Sequence, residues 1–213
     1  MLRGFDRVRL AVFLAALCPL ARLVWLGTMD GAGEGLGANP VEFVTRSTGT
    51  WALVFLCLSL AMTPLRRLTG DGRWIRLRRM LGLYCFFYAV LHAGLWFWVE
   101  HGFDFAAMLH DVAKRPFIAA GFAAFVLLVP LAAISTKAAI RSLGANWQRV
   151  HRLVYLVAVA AILHYWWHKA GKHDYAPVLP YALSVATLLG VRLWWALADR
   201  RRIRRPPANR DGV

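Results

Sequence analysis

Between Leu153 and Leu163 the chain runs through eleven residues, LVYLVAVAAIL, without a single charge. This texture recurs along the sequence. Apolar runs fall at 9–29, 48–66, 80–99, 116–136, 150–168 and 176–198. A helix needs about 20 apolar residues to cross a bilayer, so each run is a candidate span. With 59% of 213 residues hydrophobic and ten Trp, the chain is far more apolar than a soluble domain. The expected fold is therefore all-α and integral to the membrane, a bundle of six transmembrane helices. What lies between the runs is short. "DGAGEGLGANPVEFVTRS" (30–47) reads as a Gly-rich loop, and "DRRRIRRPPANRDGV" begins a basic tail. Residues 1–199 are thus expected to form one domain, with 200–213 as its tail.

A net charge of +15 raises the question of nucleic acid, but the distribution answers it. The cations sit in short clusters between apolar runs, so no nucleic-acid partner is expected, only membrane lipid. Arg3, Arg7 and Arg9 precede the first run, and six Arg fall between 66 and 79. Lys137, Arg141 and Arg149 mark the fourth loop, and six more Arg the tail. The alternating loops are poor: Arg46 in the first, Lys114 and Arg115 in the third, Lys169 and Lys172 in the fifth. The positive-inside rule then places both termini in the cytoplasm, with an even number of spans between them. Cys18, Cys57 and Cys85 are odd in number, lie within apolar runs and form no CxxC, so they read as buried small hydrophobes. The first run exceeds a secretory h-region and lacks a small-x-small cleavage site, so it reads as a retained span.

Histidine at membrane depth is costly unless something satisfies it. His101, His110 and His173 fall in loops on the outer side and read as surface residues. His92 lies about two-thirds of the way across the third run. His151 and His164 lie near opposite ends of the fifth, roughly 20 Å apart at about 1.5 Å per residue. His92 and His164 therefore share a depth on different helices. Two imidazoles facing each other in a bundle core suit a haem iron, and with both axial positions taken the iron can only pass electrons. His151 points about 140° away from His164 on an ideal helix. Its level on the third run holds Arg78 and Arg79, so a second haem at His151 has no evident second ligand. His168, four residues beyond His164, reads as interfacial. Arg22, Arg79 and Arg192 are candidates for contact with haem propionates, because guanidinium matches carboxylate.

The stretches "RRMLGLYCFFYAVLHAGLWF", "GANWQRVHRLVYLVAVAAILHYWW" and "GLGANPVEFVTRSTGTWAL" resemble the MsrQ (YedZ) family. These are haem-binding membrane subunits of bacterial protein-methionine-sulfoxide reductase systems, with a ferric-reductase-like transmembrane domain. The resemblance implies a b-type haem, one or two per chain, with His92 and His164 at family ligand positions and His151 at a further family histidine. It also implies FMN, and an inner-membrane location. Electrons would come from quinone/quinol or a cytoplasmic flavin reductase. They would leave to a periplasmic molybdenum-cofactor subunit that reduces methionine sulfoxide in envelope proteins, the lesion that turns an apolar side chain polar. The chain would then be an electron-transfer subunit, with the sulfoxide chemistry on its partner. No Gly-rich dinucleotide fingerprint is present, so hydride from NADPH is not an expected input.

Two other readings compete. A membrane metal-binding or transport protein would use His164, His168 and His173. It would also need carboxylates in mid-membrane, and the acidic residues fall in loops or at span ends. A structural protein would use its histidines as interhelical hydrogen-bonding groups, and it would purify colourless.

Overall fold

The computed structural model describes residues 2–29, 35–171 and 173–203. Most of the expected tail, and Lys172, lie outside them. The described residues are helical almost throughout, because in lipid each backbone N–H and C=O must find its partner within the chain. In chain order the helices are α1 (Leu2–Met29), α2 (Pro40–Thr69), α3 (Arg73–Leu95), α4 (Phe105–Lys114), α5 (Pro116–Ala133), α6 (Lys137–Leu143), α7 (Ala145–His151), α8 (Val154–Ala170) and α9 (Leu179–Ile203). Six helical stretches are long and apolar enough to cross a membrane: Gly4–Met29, Pro40–Thr69, Arg73–Glu100, Pro116–Ala133, Ala145–Ala170 and Leu179–Arg201.

Local chemistry sets the ends of these elements. Asn39 caps α2 by accepting from the Glu42 N–H at 3.1 Å, with Pro40 at the first helical position. Gly70, at φ 72°, closes α2 in the left-handed conformation and donates to the Arg66 carbonyl. Asp71 then holds the turn: it accepts from the Arg73 N–H at 2.8 Å and pairs with the Arg73 side chain at 2.6 Å. These contacts keep its carboxyl below the ordinary Asp range, the backbone hydrogen bond most of all. Asp104 caps α4 through two backbone N–H groups, and Thr136 caps α6.

Three spans are less regular than the hydropathy implies. The third does not end as an α-helix but widens into a π-helical turn over Trp96–Glu100, then reverses with Gly102 and Phe103 at positive φ. The fifth is broken. Residues Arg152 and Leu153 make i→i+3 bonds back to Arg149 and Val150, so α7 and α8 are separate segments. Residues 134–136 likewise leave α5 and turn into α6, where the sequence reading had continued the span.

At the centre, α2 packs on α3 and α5 on α8, with α3 against α5. Helix α9 lies against α2 and α8, and α1 against α3. The core is built from Leu60, Tyr88, Val157 and Ala158, each fully buried. Outside it the helices show Leu and Trp to the surroundings, such as Trp25 of α1 and Trp194 of α9, as lipid-facing helices do.

Helix α1 is attached through polar atoms. Pro19 interrupts its hydrogen-bond ladder, and there the Tyr88 hydroxyl donates to the Ala16 carbonyl at 2.8 Å and accepts from the Leu20 N–H at 3.2 Å. The Tyr84 hydroxyl donates to the Phe13 carbonyl one turn earlier. Tyr88→Phe keeps the ring packing and removes both bonds. It should destabilise the bundle by about 1 kcal/mol, read as a lower thermal midpoint of the purified protein. Unchanged stability would show that α1 is held by apolar contact alone.

Candidate functional site

A cavity of about 750 Å³ lies between α2, α3, α5 and α8, in the half of the bundle away from the Arg-rich loops. Its walls are mostly apolar, including Leu53, Leu56, Phe125, Leu128 and Val157. Into it project His92 from α3 and His164 from α8. Their ring centres are 5.9 Å apart, with planes inclined by 73°.

Each imidazole is held the same way. His92 Nδ1 lies 2.9 Å from the Thr45 carbonyl oxygen, and His164 Nδ1 lies 2.7 Å from that of Phe117. A carbonyl only accepts, so Nδ1 carries the hydrogen in both rings and Nε2 keeps its lone pair. A backbone carbonyl behind Nδ1 is also the usual device that orients a metal-binding histidine. Twice a metal–nitrogen bond of about 2 Å, plus two half-rings, comes to about 6 Å between ring centres. The observed separation therefore admits one metal ion between the two Nε2 atoms.

The helix opposite each histidine is cut away to admit it. A Cβ on Gly49 would lie 3.0 Å from His92 Nδ1, and one on Gly121 would lie 2.6 Å from His164 Nδ1. Both carbonyls come 47 residues before their histidine, and each glycine follows its carbonyl residue by one turn. The site is thus two copies of one arrangement, set 72 positions apart along the chain. Sequence reasoning found the histidines and missed the glycines. The shared offset was the available signal.

Three cations also line the cavity, Arg46, Arg115 and Lys169. Each is matched to a nearby carboxylate: Arg46 to Glu42 at 3.2 Å, Arg115 to Asp111 at 3.1 Å, Lys169 to Asp174 at 3.1 Å. Lys169 is the buried one, with 9% of its side chain exposed. Two further polar atoms of lining residues are buried without a hydrogen-bond partner, Thr45 Oγ1 and Trp96 Nε1. An apolar cavity lined by three cations, two orphaned polar atoms and two imidazoles with uncommitted Nε2 fits a large, flat, metal-centred cofactor with acidic edges.

The other sequence candidates lie elsewhere. His151 stacks on Trp147 at 4.4 Å, with Nδ1 unpartnered, outside the lining of this cavity. Arg22 sits over the Phe43 ring, and Arg192 donates to the carbonyls of Leu60 and Leu188. Arg79 lines a different crevice at the Arg-rich end. His168 reaches the cavity lining and packs on Phe117 at 5.5 Å. His101 corrects its surface reading: it packs on Trp96 at 4.9 Å, with Nε2 3.3 Å from Asp111 and a side chain 14% exposed. His173 is exposed, and among the described residues no three His, Cys, Asp or Glu side chains gather as a metal site. The trio His164, His168 and His173 is therefore not assembled.

Residues 48–162 match the family model of the ferric-reductase-like transmembrane component, which defines the class of this membrane domain. At the level of whole chains the similarity is closer. The protein-methionine-sulfoxide reductase heme-binding subunit MsrQ of Ralstonia nicotianae is 61% identical over 93% of this chain and 90% of its own length. The subunit of the same name from Bordetella pertussis is 54% identical over 91% and 93%, and that from Xanthomonas euvesicatoria 44% over 92% of each. The chain belongs to the MsrQ family. No solved structure matches it.

The glycines generate a test of the site's packing. Gly121→Ala places a methyl group against His164 Nδ1 and should cost about 1–3 kcal/mol of stability, as overpacking does. Gly49→Ala, with more room, should cost less. Thermal unfolding of the two variants checks the order; the reverse order would mean that the imidazoles yield without strain.

Proposed function

We propose that this chain holds a b-type haem between His92 and His164 and passes single electrons across the membrane to a partner subunit that reduces protein methionine sulfoxide. The observation that carries this is the pair of imidazoles, 5.9 Å apart between ring centres, each with Nδ1–H donated to a helix carbonyl so that Nε2 is left to bind a metal. Family membership supports it, since the relatives are named as heme-binding subunits of a protein-methionine-sulfoxide reductase. A haem supplies reversible one-electron chemistry at its iron, tuned by axial ligands and surroundings.

The protein's own contribution is binding, orientation and exclusion of water. The Thr45 and Phe117 carbonyls fix which nitrogen of each imidazole faces inward and raise its basicity. Leu53, Leu128 and Val157 keep water from the cavity's deeper wall. Arg46, Arg115 and Lys169 are the groups that would take the propionates, in place of Arg22, Arg79 and Arg192. Thr45 Oγ1 and Trp96 Nε1 offer further polar contacts.

The reading is of one haem. His151 is stacked on Trp147 away from the cavity, and α3 carries Arg78 and Arg79 at the matching level. The finer parts rest on the resemblance and the charge pattern. Residues 1–199 act as one six-span unit in the bacterial inner membrane, with both termini cytoplasmic. Electrons enter from quinol or from a cytoplasmic flavin reductase, and the resemblance adds FMN as a further cofactor of the chain. They leave on the periplasmic side to a molybdenum-cofactor reductase.

The deciding experiment is the absorption spectrum of the detergent-purified protein, oxidised and dithionite-reduced, with a pyridine haemochrome count. One low-spin b haem per chain is expected, and His92→Ala and His164→Ala should each lose most of it. His151→Ala should retain most of it. A colourless protein after expression with ample haem, or equal loss in all three variants, would sink the assignment. Arg115→Gln should keep the spectrum and lower the midpoint potential, since removing a nearby cation favours the more positive oxidised iron. Redox titration of the purified variant reads this directly.

A further inference from the structure

The bundle has a second concavity, at its Arg-rich end and distinct from the histidine cavity. It is a crevice of about 870 Å³ between α1 and α3, with Lys137 at the start of α6 also lining it. Four cations line it, Arg9 from α1, Arg76 and Arg79 from α3, and Lys137 from α6, against a single carboxylate, Asp6. Deeper in, its walls change character entirely. Helix α1 contributes Leu10, Phe13 and Leu17, and α3 contributes Met80, Leu83, Tyr84 and Phe87.

These residues recur at helical spacing, so each helix shows the crevice one continuous stripe, cationic at the mouth and apolar beyond. Between Arg76 and Phe87 the stripe rises about 16 Å at 1.5 Å per residue. That is close to half of a hydrocarbon core of about 30 Å. The slot is therefore about one leaflet deep. The one polar side chain in its apolar part is already satisfied, because the Tyr84 hydroxyl donates to the Phe13 carbonyl. Meanwhile Leu10, Phe13 and Leu83 remain 58%, 44% and 38% exposed, though they lie where two packed helices would ordinarily cover them.

We propose that this crevice holds one anionic phospholipid of the leaflet at the Arg-rich end, its phosphate among Arg9, Arg76, Arg79 and Lys137 and an acyl chain lying between α1 and α3. The charge imbalance at the mouth selects an anion. The length and dryness of the slot select one with a hydrocarbon tail. A soluble phosphate would satisfy the mouth and leave the apolar wall uncovered. The lipid would also extend the attachment of α1, which reaches the bundle at this level through few side chains: Phe5 beneath Arg76, and the Phe13–Tyr84 pair.

Native mass spectrometry of the full-length protein in neutral detergent tests this, with phosphatidylglycerol and phosphatidylcholine of equal chain length as probes. One phosphatidylglycerol per chain should be retained, and phosphatidylcholine about tenfold less. Arg76→Gln with Arg79→Gln should lose the preference by a similar factor. Leu83→Trp, which fills the slot and leaves every cation in place, should lose lipid as well. Gel filtration and thermal unfolding confirm that each variant is folded. Equal retention of the two lipids, retention undiminished in both variants, or displacement by millimolar glycerol phosphate would overturn the proposal. The last outcome would make the crevice a site for a soluble anion. None of these readouts depends on haem, so this idea and the proposed function fail separately.

Discussion

Two helix carbonyls, those of Thr45 and Phe117, are asked to accept a hydrogen bond from an imidazole on another helix. Most of the architecture around the cavity follows from that demand. A carbonyl inside a helix faces the residue one turn further on, and the Cα–Cβ bonds of a helix lean back toward its N-terminus. A side chain on that next residue would therefore overhang the carbonyl and block the imidazole. Glycine stands at both places, Gly49 and Gly121, and the space that it leaves is the space the ring uses. Once each ring is seated, its Nδ1–H is committed and its Nε2 has only the cavity to face. The pairing of α2 with α3 and of α5 with α8 is the same fact seen at the scale of helices.

Lipid sharpens the argument. In water a slightly misplaced histidine would find a solvent partner; at membrane depth it has none. The same logic accounts for α1, where Pro19 opens the ladder and the Tyr88 hydroxyl closes it again. Buried polar groups here are few, and most serve as fasteners between helices that have no hydrophobic force driving them together in a lipid environment. Two of the exceptions belong to the cavity. Thr45 Oγ1 and Trp96 Nε1 are buried and unpartnered, and both belong to residues that line it. Polar capacity left unmatched on the wall of an apolar cavity suits a large polar-edged group.

The bundle is polarised along the membrane normal. The cavity with its paired cations, Arg46, Arg115 and Lys169, occupies one half. At the other end lie the excess arginines and the crevice between α1 and α3. A cofactor seated at His92 and His164 would have a short path to one side of the membrane and a long path to the other. That is consistent with a subunit that hands electrons to a partner on one face. In the other half His151 stacks on Trp147, with the break between α7 and α8 just beyond.

Much of this was legible in the sequence. Uncharged runs about 20 residues long can only be spanning helices once the chain is in lipid, and the arginines between them repeat with every second loop. Class, span count and the equal depth of His92 and His164 follow from those two patterns, because hydropathy and helical rise are local properties. The partners of the histidines were not legible, since a helix carbonyl carries no mark in the sequence and a glycine in an apolar run looks like any other small residue. Nor were the cations that line the cavity. Arg46, Arg115 and Lys169 lie in stretches poor in charge that read as loops, where counting draws attention away from them, while Arg22, Arg79 and Arg192 stand out by lying in or beside spans and are placed elsewhere by the packing. His101 misled for a related reason: a loop position suggests solvent, but the π-helical turn at Trp96–Glu100 tucks it against Trp96 and Asp111. Depth is set by residue number along a helix, so the sequence alone determined it. Which side chain faces which is set by helix rotation, breaks and the packing of neighbours, and only the tertiary structure decided that.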